Sequence, residues 1–186
     1  MRIQRQLERI PRLLIIIHPV ERTLESTLLH IMKIRMLQDF PRQINACLDV
    51  LSEDELWWRP NEHANSPANL VLHLAASNRY YFEEILAGRP VARDRAAEFA
   101  VRGGQSKSEI RVTWDDSTSA VAAVLNALEP SQMMQTTDRT GKTTTFAQVL
   151  LHVSHHNATH MGQILWATKE LHPGALDDIG RKLRHQ

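Results

Sequence analysis

The chain has 186 residues, 42% of them hydrophobic and 23% charged, a balance that suits one soluble domain large enough to bury its own core. A single cysteine, Cys47, excludes an internal disulfide and a thiolate zinc cage, so a metal site would have to use histidine and carboxylate, and a reducing compartment is expected. The net charge of +1 gives no general case for nucleic-acid binding.

That charge is unevenly spread. Residues 1–36 hold seven Lys/Arg against three acids, net +4, which leaves −3 on the remainder. Residues 1–22 are expected to be a weakly ordered basic extension. The competing reading, an arm for an anionic partner, lacks the interleaved aromatics of a nucleic-acid surface. The run Leu13-Leu14-Ile15-Ile16-Ile17 is closed by His18-Pro19. It is too short for a membrane span of about 20 residues or a signal core of about 7–15, so no membrane and a cytoplasmic location are expected.

From about Glu21 to Leu51 apolar residues recur at helical steps: Leu24, Leu28, Ile31 and Leu37, then Ile44, Leu48 and Leu51. Pro41 interrupts them, so a kink or two successive helices are allowed. Ser52-Glu53-Asp54-Glu55 reads as a capping box opening a short helix through Trp58. Ser66-Pro67 is a strong helix start, and that helix should run to Leu86 or Ala87 before Gly88 and Pro90. Residues 89–111, charged and containing Gly103-Gly104, are expected to be a long, mobile connection. A third helix is placed from Asp116 or Ser117 to Pro130, with Ala120, Val121, Val124, Leu125 and Leu128 on one side. Thr136 to Thr144 suggests a turn with a small hairpin. Thr145-Phe146-Ala147-Gln148 is a second capping box, opening a helix that should reach Leu171. The pattern predicts an all-α, antiparallel four-helix bundle at residues 23–172, with a long loop between helices 2 and 3 and a polar tail at 173–186.

The last helix carries four of the chain's ten histidines. At about 100° per residue, His152, His156 and His160 fall on one stripe, and His155 points away toward solvent. Histidines four apart can share one metal ion, so either His152/His156 or His156/His160 can serve; His152 and His160, about 12 Å apart along the axis, cannot. A third ligand must come from another element. His73 is the histidine set inside a second amphipathic helix, among Leu70, Leu74 and Tyr81, whereas His18, His30, His63, His172 and His185 lie in the extension, at the first helix's start, in a loop or in the tail. An interior histidine more often satisfies itself by a hydrogen bond; a facing histidine pair makes a metal an equal alternative. Asn157 stands where the H-E-x-x-H motif has its general base, and no Glu precedes a His by three, so zinc-protease and ferritin-like di-iron sites are excluded.

Asn65-Ser66-Pro67-Ala68-Asn69-Leu70-Val71-Leu72-His73-Leu74, followed far downstream by His156-Asn157-Ala158-Thr159-His160-Met161-Gly162-Gln163-Ile164, resembles the DinB-like (YfiT-like) superfamily of four-helix metal proteins. The stretches Leu56 to Glu62 and Arg93 to Phe99 are similar to a little-characterised branch of it, and the likeness spans about Met36 to Leu171. The resemblance implies a divalent ion, zinc or nickel first, on His73, His156 and His160, with His152 as a supporting or pocket-lining neighbour. It implies a metal-dependent enzyme, either transferring a low-molecular-weight thiol or hydrolysing a small-molecule substrate. No general base is identified; His152, Glu83 and Glu84 are within reach only if their faces cooperate. Gly162 would let a neighbouring helix approach closely. The alternative is a non-catalytic, stress-related homodimer, with Trp57, Trp58 and Trp166 as interface candidates.

Overall fold

The computed structural model describes residues 23–177; the basic extension and the last residues of the polar tail lie outside them. Thr23 caps α1 (Leu24–Ile34), which passes through a π-helical turn (Arg35–Asp39) into α2 (Phe40–Val50). Pro41 explains the turn. Proline lacks an N–H and its ring crowds the carbonyl four residues back, and the wider π hydrogen bond from Phe40 N–H to the Arg35 carbonyl relieves both while the rod continues. A short α3 (Glu53–Leu56) follows, opened by the Ser52/Glu55 capping box.

Ser66 caps α4 (Pro67–Arg79), which continues as a π-helical segment (Tyr80–Leu86) and stops at Gly88, whose φ of +69° suits a residue without a Cβ. The connection that follows differs from the long mobile loop expected. It carries α5 (Arg95–Ala100), capped by Asp94, and α6 begins well before Asp116, at Lys107, running to Ala127. Ser106 and Glu109 form a capping box there. Ile110 and Trp114, both buried, extend the apolar stripe of α6 toward its N-terminus; charged neighbours mask that extension in the sequence. After a 3₁₀ turn (Pro130–Gln132), β1 (Thr136–Thr137) pairs antiparallel with β2 (Thr144–Thr145), and α7 (Phe146–Leu171) starts from its Thr145/Gln148 box.

The four long rods, α1–α2, α4 with its π segment, α6 and α7, form the all-α bundle, with α4 packed on both α6 and α7 and α2 on α7. Its core is in two parts. One gathers Met32, Met36, Phe40, Phe82, Ile85, Val121, Leu125, Phe146 and Val153; the other gathers Ile44, Leu48, Leu51, Leu70, Leu74, Ile110, Trp114 and Ile164. Along each rod the change from one part to the other falls at buried polar residues: Gln43, Ser77 and Asn78, Ser117, and Asn157. At this waist the Ser117 hydroxyl donates to the Ala75 carbonyl, and Asn78 and Asn157 exchange side-chain hydrogen bonds of 3.2 and 2.7 Å. Buried amides must be paired, so this pair admits one alignment of α4 against α7. That alignment places His73 opposite the histidine stripe.

Among the described residues no helix is long and apolar enough to cross a membrane.

Candidate metal centre

His73, on α4, is 2% exposed, and its Nε2 lies 3.0 Å from His156 Nε2 on α7. One turn further along α7, the His160 ring stands edge-on to both, with centroids 5.0 Å from His73 and 4.6 Å from His156. One ligand nitrogen from each of the three residues falls within 4.8 Å of the other two. Two imidazole nitrogens bound tetrahedrally to one ion at about 2.0–2.1 Å would be about 3.3 Å apart; the 3.0 Å approach, itself a hydrogen-bond contact, is close to that spacing, and the three nitrogens could hold one divalent cation.

Hydrogen bonds orient two of the rings. A carboxylate accepts and cannot donate, so the 2.7 Å contact between His73 Nδ1 and Glu98 Oε2 puts the proton on Nδ1 and leaves the Nε2 lone pair aimed at the cluster. The amide oxygen of Gln163 accepts from His160 Nδ1 at 2.8 Å with the same consequence. His156 has no such support: its Nδ1 is buried without a partner. Burial, then the neighbouring His160, His73, His152 and Arg93, pulls the His156 pKa down to about 3, so the ring is neutral at pH 7. Burial also lowers the His73 pKa, against the opposing pull of Glu98. Neutral imidazoles are the form that binds metal.

Glu98 is the residue that helical periodicity does not reveal. It sits on α5, in the stretch read as an irregular connection, and is gripped by Arg93 through contacts of 2.7 and 3.0 Å. Burial raises its pKa, but the hydrogen bonds of Arg93 and His73 and their charges outweigh this and leave it below the usual carboxylate value. Asn69, fully buried on α4, fixes α5 by donating to the carbonyls of Glu98 and Val101 at 2.9 and 3.0 Å, and Arg59 bonds both the Asn69 side chain and the Val101 carbonyl. Phe99 completes the cover, its ring centroid 4.5 Å from that of His73. The helical spacing of Ser66-Pro67-Ala68-Asn69 with His73 shows the near half of this arrangement; α5 can be placed only in three dimensions.

His152 is exposed, its ring 6.2 Å from His156 and 5.1 Å from Tyr81, and it lines a cavity with Tyr81, Lys142 and Gln148. His155 is exposed. Glu83 and Glu84 are not brought to the cluster: Glu83 pairs with Arg79 and Arg89, and Glu84 accepts from the Val91 N–H at 3.0 Å, so their faces serve the loop after α4 instead. Gly162 faces open space, because α7 turns that side away from every neighbouring helix, and the close helical approach expected of it is absent.

The family model of the DinB superfamily matches residues 36–164. Among solved structures, a DinB-like protein, YjoA, from Bacillus subtilis aligns over 78% of this chain and 91% of its own, with a TM-score of 0.58 and 19% sequence identity, a likeness of fold. No curated protein matches. The family match covers well over half of the chain, from the π-helical turn of the first rod past the histidine stripe, and the chain belongs to the DinB superfamily.

Proposed function

We propose that the protein is a metal-dependent enzyme whose divalent ion is held by His73, His156 and His160. The observation that carries this reading is the convergence of three imidazoles from two helices, two of them oriented by Glu98 and Gln163. An ion on three neutral nitrogens keeps positions open for exogenous groups and supplies Lewis acidity toward a thiol, hydroxyl or carbonyl. Zinc or nickel suits the imidazole set. The rest belongs to the chain. Glu98 holds the His73 tautomer, Arg93 keeps Glu98 ionised, and Phe99 with α5 screens His73 from water. The reaction class that fits is transfer of a low-molecular-weight thiol, or hydrolysis, on a small-molecule substrate; a cytoplasmic setting accords with the lone cysteine, Cys47.

Metal analysis of protein purified without a histidine tag decides the matter. Wild type should carry close to one ion per chain and the His73→Ala and His156→Ala variants little; undiminished metal in both would sink the site.

A second reading, a homodimeric scaffold, draws on the outer face of α7, where Trp166 is 54% and Leu151 53% exposed. Trp57 and Trp58 serve it less, being partly buried, with Trp57 packed on the core and donating to the Gln105 carbonyl at 3.2 Å. Light scattering on wild type and Trp166→Ala tests it: a monomer in both removes the reading.

A further inference from the structure

The cavity beside the histidine cluster has a volume of about 390 Å³ and is walled by Tyr81, Thr140, Lys142, Thr143, Thr144, Gln148, Val149 and His152. Its charge is one-sided: Lys142 is present and no Asp or Glu lines it. Nor is that lysine spent elsewhere, since it makes no ion pair among the described residues, while its own carbonyl accepts from the Thr140 and Thr144 hydroxyls and so fixes the turn that carries it. The threonines are committed in the same way, Thr143 donating to Asp138 and Thr140 contacting Thr144, so the turn is braced without using the ammonium group. His152 joins this cavity to the metal centre, lining the one and lying ring to ring with His156 of the other.

We propose that this cavity receives the carboxylate end of the small molecule whose other end reaches the metal centre, with Lys142 pairing the carboxylate and Tyr81 and His152 flanking the stem. The proposal rests on the metal-enzyme reading and adds the substrate class: an acidic small molecule. The braced turn fixes the backbone that carries the ammonium at the cavity edge, its flexible four-carbon stem lets the charge follow an anion, and the apolar Val149 lining the cavity accommodates a methylene stem. A carboxylate on the thiol and a carboxylate on a second substrate would use the same contact. The test separates them.

Calorimetric titration of the zinc-loaded protein with glutathione and with its diethyl ester, in which both carboxylates are masked, examines the thiol source, and amide chemical shifts of the protein as isolated, titrated with glutarate, examine a carboxylate without a thiol. The acid should bind about five- to tenfold more tightly than the ester, as one charge-assisted contact provides. Lys142→Met should abolish that preference chiefly by weakening the acid, while Lys169→Met, the same charge change at the far end of α7, should leave it intact. Glutarate should shift amides between residues 140 and 152 in wild type and not in Lys142→Met. A preference in glutathione alone assigns the carboxylate to the thiol; glutarate shifts alone assign it to the second substrate. Equal binding of acid and ester together with no glutarate shifts in residues 140–152, or preferences that survive Lys142→Met, overturns the proposal. Failure to take up zinc overturns the metal-centre reading instead, and the glutarate arm then decides this one.

Discussion

Replacing Glu98 by glutamine would change one property of the His73 contact and preserve its shape. The amide can still accept from Nδ1, but it no longer carries the charge that makes the imidazole a stronger donor to a metal and that Arg93 neutralises. Glu98→Gln should therefore weaken zinc affinity about 10- to 100-fold. Competition with a chromophoric chelator measures it directly, and unchanged affinity would show that the carboxylate serves only to dock α5. Gln163→Ala should act in the same direction through His160, with a smaller effect because the contact is neutral and exposed.

Among the elements, α4 and α7 are tied by the amide pair at the waist, and the tie can be measured. Removing either amide leaves its partner buried and unpaired at a cost of about 1–3 kcal/mol. Asn78→Ala and Asn157→Ala should each destabilise by that amount in urea unfolding, and the double variant should cost clearly less than their sum. Additive losses would mean that the two side chains act independently. A second tie, between α3 and the end of α7, responds to pH. Glu55 is held down to about 2 by the Ser52 N–H and by His172 and the Ser52 hydroxyl, below its ordinary value of 4.5. A carboxyl whose folded pKa is depressed contributes stability that is fully present above the unfolded value and lost as pH falls toward the folded one. The acid limb between about pH 4.5 and 2 should therefore be shallower in Glu55→Gln than in wild type, as read from urea midpoints across that range; parallel limbs would remove Glu55 from the account. The π-helical turns show what helical spacing can and cannot carry at this scale. Pro41 announces a disturbance, but whether the chain kinks, breaks or widens depends on the packing of Met36 and Phe40 into the core. Likewise Ile110 and Trp114 become recognisable as helical once the second core that buries them exists.

Taken as a whole, the molecule was legible in sequence wherever one helix face answers to one core: the four rods, the capping boxes at Ser52 and Thr145, and the places of His73 inside one rod and of the stripe along another follow from helical period and end signals, whereas their facing rests on the packing of α4 against α7. Glu98 and the placement of α5 were not, because their partners, His73, Asn69 and Arg93, lie on other turns of chain and leave no periodic trace. Spacing alone permits both His152/His156 and His156/His160; the resemblance of the surrounding motifs favours the second, and in the structure it is His156 and His160 that group with His73. The same division governs stability. The two apolar cores include none of the three histidines, whereas partly buried His156, beside the waist, holds a buried and unpaired Nδ1, a local cost that an ion on its Nε2 would leave in place and have to outweigh. A ligand that binds the folded state alone stabilises it by mass action, about 2.7 kcal/mol at a hundredfold excess over its dissociation constant. In a domain of this size that amounts to a rise of about 5 to 10 °C in Tm. Calorimetric scans with and without zinc should show such a rise in wild type and none in His156→Ala. Equal rises in both would place the ion elsewhere, and no rise in wild type would leave the histidines as a polar network within an otherwise ordinary bundle.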